Sequence, residues 1–179
     1  MSGAHGVGKT TLCFDLQSAL EAQKERPPSV CVLTDVARTL RTEGIRINRE
    51  TEDSQYALFF EKHVCNLLAD HSADYIIYDR TVLDSIAYAA VNGNLHEHWI
   101  RFMKSLSSLI MKKIDLYFFV PIEFPLRGDG IRDTEIEYQR HLDQALAEFV
   151  RQCRPEFQLI TGTRSERLRL ALDLIHPLQ

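Results

Sequence analysis

A glycine-rich segment near the start of the chain, GAHGVGKT at residues 3–10, constrains the fold more than any other feature of the sequence. Gly3, Gly6 and Gly8 allow backbone angles that other residues rarely adopt, so successive N–H groups can curve around an anion. An amphipathic helical pattern begins directly after the glycines, and the positive end of its dipole would favour the same anion. The segment therefore predicts an anion-binding loop at a helix N-terminus.

Two side chains make a triphosphate the expected anion. Lys9 would supply a point charge to the outer phosphates, and the Thr10 hydroxyl can ligate magnesium. A chance glycine-rich turn is the alternative, but ordinary residue frequencies produce such a pattern in fewer than about 1% of chains this long. We therefore predict a P-loop that binds ATP and Mg²⁺ through Gly3, Ala4, His5, Gly6, Val7, Gly8, Lys9, Thr10 and Thr11.

Short apolar runs alternate with longer helical patterns along the rest of the chain, which is typical of one α/β domain. Strands are predicted at 30–34, 75–78, 116–120 and 157–160, and helices at 9–25, 53–70, 81–91, 96–113, 134–153 and 165–175. The strands are almost continuously apolar, as in a parallel sheet covered on both faces. The predicted fold is a three-layer α/β/α P-loop NTPase fold with a helical lid, as a single domain over residues 1–179.

The first strand of that fold is largely missing from this sequence. An apolar strand normally runs straight into the glycine loop, yet only Met1 and Ser2 precede Gly3. A start placed too far downstream, a shortened chain and a true gap in the sheet are the three explanations, and the sequence favours the first.

Composition excludes several classes of protein. The net charge of −4 gives no reason to expect non-specific DNA binding. The four cysteines are widely spaced, with no zinc-ligand pattern. No apolar stretch is long enough to span a bilayer and no signal peptide is visible, so a cytoplasmic protein without a membrane partner is expected.

Carboxylates follow two of the predicted strands, at the end where open α/β sheets bind ligands. Asp79 could hold magnesium or its water, or it could cap the next helix. The residue after it is Arg80, where an ATPase that activates water usually carries glutamate. Asp35 is placed to be a general base for an acceptor hydroxyl, with Arg38 near an anionic part of the acceptor. A helix cap and a solvated arginine are the alternatives for that pair.

Together these blocks resemble a known family. The P-loop, DVAR at 35–38, Gln55, YDR at 78–80, PIEFP at 121–125 and DGIRD at 129–133 are similar to P-loop ATPase/kinase domains. That family includes the nicotinamide riboside kinase domain of NAD-biosynthesis regulators, and its layout is similar to that of deoxynucleoside kinases. The resemblance implies that Asp35 is the base, that Asp79 and Arg80 serve magnesium and phosphates, and that Gln55 reads a base or amide. Where relatives carry glutamate, this chain has Asp35.

Two further segments are assigned to the donor side of the site. A mixed-charge lid is expected at about residues 127–140, and Arg132 in it would meet the transferring phosphoryl group. An exposed ion pair is the alternative for Arg132. By resemblance to small kinases, the turn at 161–164, which includes Arg164, would contact adenine.

Trp99, Phe102 and Met103 recur at helical spacing and are predicted to be core residues.

The sequence supports three hypotheses about function. The first is a kinase that transfers the ATP γ-phosphoryl group to a nucleoside, nucleotide or similar small metabolite, with Lys9, Asp35 and Arg132 as its catalytic residues. The second is a kinase that acts on a modified base in DNA, which the lack of a basic run disfavours. The third is an ATP-binding regulatory module with slow hydrolysis and a protein partner.

Overall fold

The computed structural model describes residues 1–23, 26–34, 36–46, 53–69, 71–93, 96–124 and 133–176. Four strands alternate with helices along these ranges. The elements are α1 (Lys9–Glu21), β1 (Val30–Leu33), α2 (Val36–Thr42), α3 (Asp53–Leu68), β2 (Tyr75–Tyr78), α4 (Val82–Asn92), α5 (Glu97–Ile110) with a 3₁₀ turn (Met111–Lys113), β3 (Phe118–Phe119), α6 (Asp133–Cys153), β4 (Gln158–Leu159) and α7 (Arg164–Ile175).

The strands are parallel and form two pairs. β1 pairs with β2, from Val30 opposite Tyr75 to Leu33 opposite Tyr78. β3 pairs with β4 through two residues on each strand. Because parallel strands need crossover connections, a helix lies between each consecutive pair in the chain.

Met1 and Ser2 join the two pairs. On one side the Met1 nitrogen donates to Tyr78 O at 2.8 Å, and Arg80 N donates to Met1 O at 3.0 Å. On the other side Ser2 N donates to Phe118 O at 2.9 Å, and Val120 N donates to Ser2 O at 2.9 Å. The order across the sheet is therefore β1, β2, residues 1–2, β3, β4. The sheet has no gap at this point, because two residues bridge its halves immediately before the P-loop.

A buried polar network supports this junction. The Tyr117 hydroxyl donates to Ser2 Oγ at 2.5 Å, and Thr81 Oγ1 lies 3.2 Å from both of these hydroxyl oxygens. Ser2 Oγ also donates to Asp84, whose other hydrogen bond from Thr81 N completes the capping box of α4. The network fixes residue 2 against the start of α4, so it also fixes where the glycine loop begins.

The helices cover both faces of the sheet. On one face α1 and α7 pack over Phe118, Val120 and Ile160. On the other face α3, α4, α5 and α6 pack over Phe119. Phe118 and Phe119 therefore point to opposite layers, as successive strand residues must. The predicted three-layer α/β/α P-loop fold is confirmed.

Element boundaries differ from the predictions mainly at the ends. β3 and β4 are two residues long instead of five and four. The prediction that Trp99 and Phe102 are core residues is wrong: they are 51% and 54% exposed, whereas Met103 is buried. The buried face of α5 runs through Met103, Ser107 and Ile110, which leaves the two aromatic rings on the outer face. No helix in the described part of the chain is long and apolar enough to cross a membrane.

Candidate active site

The glycine loop has the backbone form that the sequence predicts. Gly3, Gly6 and Gly8 have φ angles of 156°, 78° and 95°. The close approach of the chain at Gly3 adds a second constraint, since a Cβ there would lie 2.2 Å from Val120 O. Glycine is therefore required at the first position by contact as well as by backbone angle.

Lys9 lies inside the loop. Its Nζ atom donates to Gly3 O at 2.8 Å and to Ala4 O at 2.6 Å, and the residue is 4% exposed. These carbonyls hold the ammonium group where the loop turns, so its charge is directed at the loop rather than at bulk water.

The N-terminus of α1 is open in a way that the starts of α4 and α7 are not. Gly8 is its N-cap, no side chain among the described residues caps it, and its first turn contains no acidic residue. By contrast, Thr81 with Asp84 and Thr163 with Glu166 form complete capping boxes at α4 and α7. The first N–H groups of α1 are thus left for an anionic ligand, which the helix dipole also favours.

Thr10 and Asp79 meet beside this helix end. The Thr10 hydroxyl donates to Asp79 Oδ2 at 2.5 Å, and Asp79 is 1% exposed. Asp79 Oδ1 is also buried and has no hydrogen-bond partner among the described residues. A buried carboxylate oxygen without a partner is costly, and a cation would satisfy it.

These two oxygen ligands fit magnesium. Among the described residues no group of three or more His, Cys, Asp or Glu is placed to hold a metal. Mg²⁺ commonly takes only one or two protein ligands and completes its shell with phosphate oxygens and water. Thr10 Oγ1 and Asp79 Oδ1 are therefore the atoms that would hold it.

The ends of β1 and β2 lie side by side at one edge of the sheet. Leu33 and Tyr78 are opposite each other, and Asp79 N donates to Leu33 O at 2.9 Å. Residues that follow β1 and β2 thus leave the sheet at one edge. Asp35 and Arg132 lie outside the described residues, and so does the lid up to residue 132. Arg38 belongs to α2, but its side chain is not among those described.

Arg80 has an unusual backbone. Its φ is 82°, and no other non-glycine residue in the described ranges has a positive φ. Its guanidinium group donates to the Tyr88 hydroxyl at 3.3 Å, stacks 5.3 Å from the Tyr88 ring centroid and lies 3.5 Å from Asp84. Strained backbone that surrounding contacts maintain is concentrated at functional sites.

Gln55 and Arg164 belong to α3 and α7. Gln55 is in the first turn of α3, where it is half-buried. Arg164 begins α7 and pairs with Asp15 of α1 at 2.6 and 2.7 Å. Its ion pair with Asp15 holds down the pKa of that carboxyl. Contact of either residue with a ligand stays a prediction.

Comparison with known proteins identifies the family. A family model described as an AAA domain matches residues 1–167. The chain belongs to this AAA domain family. A thymidylate kinase from Acholeplasma laidlawii (strain PG-8A) is 25% identical over 174 residues, which cover 93% of this AAA domain and 85% of the relative.

Solved structures share the fold of this AAA domain at low identity. A deoxyadenosine kinase from M. mycoides has a TM-score of 0.66 at 15% identity, with 99% of this chain and 97% of that chain covered. A thymidylate kinase from Ehrlichia chaffeensis has a TM-score of 0.64 at 16% identity, with 99% and 96% covered. NadR in complex with NR has a TM-score of 0.62 at 18% identity. That match covers 98% of this chain and 48% of NadR, so the chain spans about half of the latter.

These matches confirm the predicted P-loop ATPase/kinase family and its fold. They leave the individual site residues as predictions.

Contacts from α6 to the loop were missed by the sequence reasoning. Gln139 Nε2 donates to His5 O at 2.5 Å. Asp143 lies one turn later on α6. Burial raises the pKa of the Asp143 carboxyl, although the backbone N–H groups of Ile122 and Ala4 and the charge of Lys9 oppose the shift. A polar residue on an amphipathic helix gives no sequence signal for such a contact.

A partly buried ion pair that contacts the loop from α7 was missed as well. Arg167 of α7 donates to Val7 O at 2.5 Å and to Glu123 at 2.6 Å. Glu123 also accepts from Gly162 N at 2.8 and 3.0 Å. The pair thereby ties the P-loop to the segment after β3 and to the turn before α7. The resemblance includes Glu123, but nothing in the spacing pairs it with Arg167.

Proposed function

We propose that this AAA domain is an ATP-dependent kinase that transfers the γ-phosphoryl group to a hydroxyl or phosphate group of a nucleoside, nucleotide or similar small metabolite. The observation that carries the proposal is the contact of Thr10 with Asp79 beside the start of α1. The second oxygen of Asp79 is buried and has no partner within the described part of the chain. This arrangement suits a magnesium triphosphate. The names of the relatives, thymidylate kinase and deoxyadenosine kinase, support the kinase class.

The proposed chemistry is mainly positioning and charge stabilisation. The acceptor oxygen bonds to the γ-phosphorus while the bond to the bridging oxygen breaks, and ADP leaves. In the proposal Lys9 stabilises the outer phosphates, and the N–H groups of the loop bind the β-phosphate. Magnesium, when bound, would neutralise phosphate charge. Asp35 would accept the proton of the acceptor hydroxyl, while Arg38, Gln55 and Arg80 orient the acceptor.

Arg80 supports phosphoryl transfer to an acceptor rather than to water. It stands where a glutamate would be expected to activate water, and its guanidinium lies on Asp84 and Tyr88 of α4. We also propose that Arg132 meets the transferring group and that Arg164 borders the adenine. The cytoplasmic location of the protein stays a prediction.

Product analysis tests the proposal. The full chain is incubated with MgATP and a panel of nucleosides, nucleoside monophosphates and nicotinamide riboside, and products are identified by mass spectrometry. We expect one chemical class of acceptor to gain a phosphoryl group. Asp35→Asn should reduce the turnover rate by roughly 10²- to 10⁴-fold, the usual range for a lost general base, with ATP affinity unchanged.

The same experiment distinguishes the other two functions. ATP turnover that requires duplex DNA would support a kinase that acts on a modified base. ATP binding with no phosphorylated product, together with an Asp35→Asn variant that keeps its function, would support a regulatory module. Either result would contradict the proposed small-molecule kinase.

A further inference from the structure

Two buried side chains outside the glycine motif contact the back of the P-loop. We infer that Gln139 and Arg167 are positioning residues that orient the N–H groups of Gly6 and Gly8 towards the phosphate site before a ligand binds. The inference rests on the proposed nucleotide binding and adds two residues that neither the motif nor the comparisons assign.

Arg167 holds the first of these contacts. It is 7% exposed, and its guanidinium donates to Val7 O at 2.5 Å. Its second nitrogen is fixed by Glu123, which Gly162 N anchors in turn. A charge-assisted hydrogen bond from a group held on two sides permits little rotation of the Val7 carbonyl.

Gln139 holds the second contact. It is 3% exposed and its Nε2 donates to His5 O at 2.5 Å. Because a carbonyl oxygen can only accept, the amide of Gln139 must direct its NH₂ group at the loop.

The geometry of the peptide bond relates these carbonyl contacts to the direction of the loop N–H groups. A planar trans peptide carries its carbonyl oxygen and the following N–H on opposite sides, and the described residues contain no cis peptide bond. With His5 O held by Gln139 and Val7 O held by Arg167, the N–H group of Gly6 is directed away from α6 and that of Gly8 is directed away from α7. In the inference these are the directions in which the phosphates bind.

The expected consequence is tighter phosphate binding. N–H groups that already point at the ligand need no ordering when it arrives, and pre-organisation of this kind increases affinity. Gly6 and Gly8 have φ angles of 78° and 95°. Glycine can adopt many other backbone angles, so without external contacts these two peptides would be free to rotate.

Calorimetry on full-length variants tests the inference. Gln139→Leu and Arg167→Met are compared with matched controls on the same helices, Gln144→Leu and Arg169→Met, whose side chains are exposed. The ligands are MgATP and magnesium tripolyphosphate. The Kd for both ligands should rise by about 3- to 10-fold in Gln139→Leu and about 10- to 100-fold in Arg167→Met, the loss expected for neutral and charged hydrogen bonds.

Three features separate positioning from general structural support. The two ligands should lose the same factor, since both bind through phosphates. The controls should bind as the wild type does. The KM for the acceptor at saturating ATP should not change. Thermal unfolding without ligand establishes that each variant is folded.

A second variant covers the risk that Arg167→Met leaves Glu123 unpaired and fails to fold. Arg167→Lys keeps the charge, but a single ammonium cannot reproduce the fork that reaches both Val7 O and Glu123, so its Kd should still rise. Folded variants that bind both ligands within about twofold of the wild-type Kd would overturn the inference and leave nucleotide binding intact. A folded wild type that binds neither ligand would instead overturn the proposed function, and this inference with it.

Discussion

At the scale of single residues, the site depends on one buried carboxylate. Asp79 follows β2 directly and accepts a hydrogen bond from Thr10, while its second oxygen has no partner among the residues that the structure describes. Such a group lowers the stability of the empty protein, and it is retained at functional sites where a ligand offsets the cost. Its position is therefore better explained by binding than by folding.

Asp79→Asn separates these two effects. Removal of a buried charge should raise the free energy of unfolding of the ligand-free protein by about 1 kcal/mol. It should also lower the phosphoryl-transfer rate by roughly 10²-fold or more, the size seen when one electrostatic contact at a reacting centre is lost. Urea unfolding and the kinase assay measure the two quantities. A variant that is less stable and fully active would show that Asp79 is a structural cap.

At the scale of secondary-structure elements, the helix starts differ in a useful way. α7 has a full capping box formed by Thr163 and Glu166, and the hydrogen bonds from Thr163 lower the pKa of the Glu166 carboxyl. α1 has no side-chain cap. A capping side chain therefore stabilises the start of α7, whereas glycine stands at the start of α1, where a ligand is expected.

Thr163→Ala should reveal the contribution of that cap. Loss of the hydroxyl removes an acceptor for Glu166 N and should reduce the free energy of unfolding by about 1 kcal/mol. Thr163→Ser keeps the hydroxyl and is the control. Thermal unfolding of both variants without ligand makes the comparison, and equal destabilisation by the two substitutions would contradict a capping role.

The contact of α6 with the P-loop predicts a pH effect. Burial raises the pKa of Asp143 above its ordinary value of 3.8, so the folded state binds this proton more strongly than the unfolded chain. This contribution to the free energy of unfolding is fully present at pH values below 3.8. It is lost as the pH rises through the raised pKa.

Asp143→Asn removes that titration. The free energy of unfolding of the wild type should fall relative to that of the variant as the pH rises from about 4, an ordinary carboxyl pKa, and the difference should become constant at higher pH. Urea unfolding of both proteins between about pH 4 and 7, where the fold is expected to survive, gives the two curves. Parallel curves across this range would show that folding does not raise the pKa of Asp143.

Sequence reasoning found the elements that local pattern determines. β2 has the predicted bounds, because a continuous apolar run marks it, and α6 begins one residue before its predicted start at residue 134, because apolar periodicity marks that helix. It did not find α2, since seven residues at Val36–Thr42 are too few for a clear period. It also could not pair Gln139 with His5 or Arg167 with Val7, because those contacts depend on how α6 and α7 pack and not on local spacing.

At the scale of the whole molecule, residues 1–3 connect the two halves of the sheet to each other and to the P-loop. Met1 and Ser2 supply the backbone that joins β2 to β3, and Gly3 allows the chain to turn into the loop while touching Val120. The sequence showed that this strand was short, but the way in which two residues span the sheet is a property of the assembled fold.

Gly3→Ala tests this junction. The new Cβ would lie 2.2 Å from Val120 O, so either Ser2 must leave β3 or β3 must move. The free energy of unfolding should fall by about 3 kcal/mol or more, as for other disruptive core changes. Gly44→Ala is the control, because it also has a positive φ but faces open space, and it should cost about 1 kcal/mol of backbone strain. Equal losses for the two variants would mean that the close contact at Gly3 is unimportant.

The most direct test of the central claim is calorimetric titration of the folded chain with ATP, with and without magnesium. If residues 3–10 bind the triphosphate and Thr10 and Asp79 hold the metal, one ATP should bind per chain. Chelation of magnesium and the Lys9→Met substitution should each weaken that binding by about tenfold or more, the size of a lost charge-assisted contact. A folded protein that gives no magnesium-dependent heat with ATP would contradict the account.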